Sequence, residues 1–116
     1  MFFIEDKNFL SKTSIDFIEN KINQSHFPFY YQKHSIPGDK KGLLTHTVLN
    51  RLEDRKNDEY ENSEFYPNIV YMLNEFCGKN NLKIFDYLRA CVNMTYPNGC
   101  EKCDIHQDHE YPHLQL

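Results

Sequence analysis

The stretch Asp86 to Tyr96, DYLRACVNMTY, decides the fold. Leu88, Ala90, Val92, Met94 and Tyr96 alternate with Arg89, Cys91, Asn93 and Thr95. Side chains two apart share one face of an extended chain, so this period predicts a strand with one apolar face. Tyr96 falls on that face with Val92 and Met94. Tyr96-Pro97-Asn98-Gly99 then turns the chain, because Pro presets one backbone angle and Gly tolerates the rest. Beyond the turn lies a polar tail, CDIHQDHEYPHLQL (Cys103 to Leu116).

Toward the N-terminus the chain divides into six pieces. A helix is expected from about Ser11, with Ser11, Thr13 and Ser14 as candidate caps and Ile15, Ile18 and Ile22 on one core-facing stripe. FPFYYQK (Phe27 to Lys33) is aromatic-dense and predicts an extended segment. IPGD (Ile36 to Asp39) is a turn pattern, and LLTHTVL (Leu43 to Leu49), with three β-branched residues, predicts a second strand. Arg51 to Glu64 is strongly polar and is expected to be a surface loop. A second helix follows, with Pro67 in its first turn, Ile69, Val70, Leu73, Phe76 and Cys77 facing inward, and Gly78 as its stop.

At 116 residues the chain is one domain or part of one. Nine Phe and eight Tyr indicate a packed chain rather than a disordered one. The formal net charge of −4 argues against nucleic acid or an anionic membrane as partner, since both need a concentrated basic face. The N-terminal MFFIEDKNFL lacks a cationic start and is interrupted by Glu5 and Asp6, so it is not a signal peptide pattern. No apolar run approaches the ~20 residues that span a bilayer. A cytoplasmic location is expected, with Cys77, Cys91, Cys100 and Cys103 reduced, and with Cys77 and Cys91 acting as small buried hydrophobes.

The tail holds the candidate site. His106 and Asp108 are one residue apart, so on an extended chain both project from one face and can reach one cation. An imidazole and a carboxylate supply two of the three ligands of the 2-His-1-carboxylate facial triad, which suits ferrous iron and leaves positions open.

RACVNMTYPNG (Arg89 to Gly99) and IHQDHEYPHLQL (Ile105 to Leu116) resemble the N-terminal half of the iron(II)/2-oxoglutarate-dependent oxygenases. The likeness is to prolyl-hydroxylase-like and small phage-type members. It implies an α+β fold in which two helices pack on an incomplete double-stranded β-helix (jelly-roll, cupin-like) sheet. It implies Fe(II) held by His106 and Asp108, and 2-oxoglutarate contacted by Tyr96, which stands ten residues before His106. The same likeness implies a further His ligand and a 2-oxoglutarate-binding Arg or Lys some fifty or more residues later. Neither falls within residues 1–116, so the chain is expected to be the N-terminal portion of a longer oxygenase domain, or a degenerate relative of one, with little or no turnover alone. A sheet cut mid-barrel exposes an edge and an apolar face, so a homodimer or domain-swapped assembly is expected.

The competing metal pattern is zinc on Cys100, Cys103, His106 and His109, a C-x2-C-x2-H-x2-H array. All four ligands fall within ten residues, so such a site would join little of the chain. His26, His34 and His46 have no carboxylate at ligand spacing and are assigned no role. No Ser/His/Asp or Cys/His set carries a usable local signature, and there is no Gly-rich phosphate loop.

Overall fold

A computed structural model describes residues 3–33, 42–55 and 63–95. The architecture is α+β: helix α1 (Lys12–Ile22), strand β1 (Tyr30–Gln32), strand β2 (Leu43–Leu49), a 3-10 turn (Leu52–Asp54), helix α2 (Tyr66–Lys79) and strand β3 (Ala90–Met94). The three strands form one antiparallel sheet in the order β1-β2-β3.

The period-two stretch does become a strand, over Ala90–Met94 rather than from Asp86. Ahead of it, Arg55 holds the backbone out of the ladder by donating to the carbonyls of Tyr87 (2.6 Å) and Leu88 (3.1 Å). The register Leu44↔Met94, Thr45↔Asn93, His46↔Val92 puts Val92 and Met94 on the sheet face that carries Leu44 and His46. That face is not a core face along β3, where Met94 is exposed and Val92 only half-buried. The buried centre lies instead on β2, which is flanked by both other strands and touched by α2.

A register shift between Thr47 and Leu49 leaves Val48 as an extra residue in β2, opposite no single residue of β3. Such a bulge breaks the strict alternation, so the consecutive Val48 and Leu49 are both buried. With Leu43 and Phe65 they make up the apolar core of the described residues.

Helix α1 starts where its cap residue predicts. The Ser11 hydroxyl accepts from the Ser14 amide at 3.2 Å, satisfying one of the donors a helix start leaves open. Its isoleucine stripe covers less than expected: no residue of α1 is buried, and Ile15 is 42 % exposed. The helix meets α2 through the Ser14 and Tyr71 hydroxyls, 3.2 Å apart. Nearby, Phe9 packs edge-on to Phe76 and Lys79 donates to the Phe9 carbonyl at 2.6 Å.

Helix α2 keeps Pro67 in its first turn, but Gly78 does not stop it. The helix runs through Lys79, and the stop is Asn81, whose φ of 55° is left-handed. The Leu82 amide bonds back to the Cys77 carbonyl (2.8 Å) and the Asn81 amide to that of Gly78 (3.4 Å), the paired bonds of a Schellman end. Asparagine tolerates that conformation better than most residues, which is why it can replace glycine here.

Candidate functional site

The residues singled out in the tail, Tyr96, Cys100, Cys103, His106, Asp108 and His109, lie outside the described residues, as do the IPGD turn and the turn after Tyr96. Among the described residues, no three His, Cys, Asp or Glu side chains come together as a metal-binding group. Also among them, no helix is long and apolar enough to cross a membrane. Cys77 and Cys91 are free thiols and only half-buried, less sequestered than small core hydrophobes would be.

What the fold does assemble is a cluster around His46, a residue with no sequence neighbour to mark it. His46 sits mid-strand in β2 on the Leu44 and Val92 face, and is buried. Its Nδ1 lies 2.8 Å from the Pro28 carbonyl oxygen and its Nε2 lies 2.5 Å from Ser63 Oγ. A carbonyl oxygen can only accept, so Nδ1 carries the proton in the neutral ring and Nε2 is left as the acceptor. Ser63 therefore donates to Nε2, and its oxygen in turn accepts from the Phe65 amide at 3.0 Å.

Three segments are pinned in this way: the entry to β1, the middle of β2 and the approach to α2. Aromatic rings enclose the polar chain. Phe27 stacks at a tilt on the imidazole with centroids 4.3 Å apart, and meets Phe65 edge-on at 5.6 Å and Phe29 at 5.1 Å. A low-polarity surround strengthens each hydrogen bond and makes an unpaired group costly, so the cluster is a rigid joint. One sequence signal could have exposed it. His46 shares the parity of Leu44 on a strand whose polar residues, Thr45 and Thr47, take the other parity, so a histidine was being placed on an apolar face.

On the opposite face, Thr45 donates to Asn93 Oδ1 at 2.8 Å, and Tyr30 occupies the third position of the same cross-strand row. An open groove of about 550 Å³ lies along β1 and β2, lined by residues of both parities, among them Tyr30, Tyr31, Gln32, Thr45 and His46; Ser63 does not line it. Comparison of the chain with protein-family models, with curated proteins and with solved structures finds no match.

Proposed function

We propose that this chain is the front portion of an iron(II)/2-oxoglutarate-dependent oxygenase, with His106 and Asp108 as two of its iron ligands and Tyr96 on the 2-oxoglutarate side. The sheet β1-β2-β3 would then be the start of a double-stranded β-helix. One observation supports the reading most. The segment whose alternation carries the likeness is a strand, paired antiparallel to β2, and Met94 ends it two residues before Tyr96. The donor set also fits: one imidazole and one carboxylate bind ferrous iron without filling its coordination sphere. Bound with 2-oxoglutarate and O₂, iron supplies oxidative chemistry that hydroxylates a C–H bond. The chain's own part would be to supply His106 and Asp108 as ligands and Tyr96 toward 2-oxoglutarate. With two protein ligands, iron would be held weakly and turnover would be slight.

The test is anaerobic binding of Fe(II) and of Zn(II) to the purified chain and to Asp108→Ala. Iron binding that is weak, preferred over zinc and lost in the variant supports the reading. Zinc binding that survives Asp108→Ala and is lost in Cys100→Ala moves the assignment to the Cys100, Cys103, His106 and His109 array.

A second reading, self-association through the sheet, is favoured by β1. It is one of the two edge strands of the described sheet, and Tyr30 and Tyr31 on it are well exposed. Light scattering at micromolar concentration distinguishes a dimer from a monomer.

A further inference from the structure

His46 and Ser63 stand to one another as a base stands to a hydroxyl nucleophile. Serine becomes nucleophilic when its proton is directed at an imidazole nitrogen whose other nitrogen is held by a third group. Here Ser63 Oγ is 2.5 Å from Nε2, and the Pro28 carbonyl, 2.8 Å from Nδ1, fixes the tautomer that leaves Nε2 basic. A hydroxyl oxygen has two lone pairs. One accepts from the Phe65 amide, and the other is available for attack. Ser63 is half-buried rather than sealed, and helix α2, whose N-terminus carries partial positive charge, begins three residues later.

We propose that Ser63 is an acyl-accepting nucleophile, with His46 as its general base and the Pro28 carbonyl as the group that orients the imidazole. Ser63 Oγ attacks the ester carbonyl carbon while its proton passes to His46 Nε2. The carbon–oxygen bond to the leaving alcohol breaks, and that alcohol takes the proton from Nε2. Water then gives a proton to Nε2 and bonds to the acyl carbon, and Ser63 Oγ leaves and recovers the proton. During each transfer the imidazolium is stabilised by the Pro28 carbonyl dipole and by the face of Phe27. A backbone carbonyl stabilises that cation less than a carboxylate does, so turnover is slow. No metal enters the scheme, which is therefore independent of the oxygenase reading.

The experiment is modification of the full chain by an alkyl fluorophosphonate in the presence of EDTA, mapped by peptide mass spectrometry. The exposed serine Ser11 serves as an internal comparator. Modification of Ser63 well ahead of Ser11 is expected, abolished in Ser63→Ala, lost in denaturing urea, and slowed about 100-fold or more in His46→Gln. A folded wild-type chain that reacts at Ser63 no faster than at Ser11 overturns the proposal. So does a Ser63 rate that survives denaturation, which removes the geometry without relying on any variant to fold.

Discussion

The Thr45 hydroxyl donates to the side-chain oxygen of Asn93 at 2.8 Å, across directly paired positions of β2 and β3. Thr45 is buried and Asn93 exposed, so this bond lies at the edge of the buried centre and reports the register of the two strands. Thr45→Val keeps the shape and β-branching but deletes the donor. It is expected to cost about 1–2 kcal/mol, because Asn93 loses a charge-neutral partner but stays exposed enough to find water. Urea denaturation measures this. Combining Thr45→Val with Asn93→Ala should cost less than the sum of the two, and strict additivity would show the bond to be idle.

His46→Ala should be the most damaging change in the sheet. It removes the acceptor for Ser63 and the donor for Pro28, and it opens a void between Phe27 and the strand. A loss of about 3–5 kcal/mol is expected from the unsatisfied groups and the cavity together. His46→Phe fills the volume and leaves the polar groups stranded, so it should recover only part of that. Full recovery by phenylalanine would mean that packing, not hydrogen bonding, sets the joint.

The end of α2 separates two kinds of glycine position. Gly78 is inside the helix, and a Cβ built there meets nothing within 4 Å. Gly78→Ala should therefore stabilise the protein by about 0.5–1 kcal/mol. Asn81 holds the left-handed φ, so Asn81→Gly should stabilise slightly and Asn81→Ala should destabilise by about 1 kcal/mol. Thermal melts of the three variants check both signs at once.

Lys12 is fully exposed and its pKa is raised above the ordinary 10.5, first by its hydrogen bond to Asp16 and then by that residue's charge. A raised pKa means the pair's contribution is complete below 10.5 and fades as pH climbs through the higher folded value. Stability should thus show no step from this pair between about pH 6 and 9, since exposed pairs are weak and Lys12 keeps its charge there. In Asp16→Asn the Lys12 pKa should fall back toward 10.5, which an NMR titration of the lysine side chain detects.

Much of this fold is legible in local pattern, and what is not legible is tertiary. Ser11 marks the start of α1 because a cap is a local bond, and LLTHTVL marks β2 to the residue because β-branching and burial agree there. β3 starts later than its alternation predicts because Arg55, some thirty residues away in sequence, captures the carbonyls that a longer strand would have used. α2 runs past Gly78 although a glycine is the usual signal for a left-handed stop, because an asparagine three residues on takes that conformation. The His46 and Ser63 pair could not be found by spacing, since it forms only when β2 meets the approach to α2. Tyr96, His106 and Asp108 were singled out by spacing and likeness alone.

Arg55 offers the last test, because it joins the end of one strand to the beginning of another. Its Nε donates to the Asn50 carbonyl at 3.0 Å, just past β2, and a terminal nitrogen donates to Tyr87 and Leu88, just before β3. A guanidinium can serve these carbonyls together because its donors are fixed in one plane, whereas an ammonium is a single point. Arg55→Met should therefore cost about 2–3 kcal/mol, and Arg55→Lys should recover less than half of it. The effect should also be local. Amide exchange should quicken at Leu88 through Cys91 while the amides of α1 keep their rates relative to global unfolding. Uniform acceleration across the chain would show instead that Arg55 supports the whole domain and not the entry to β3.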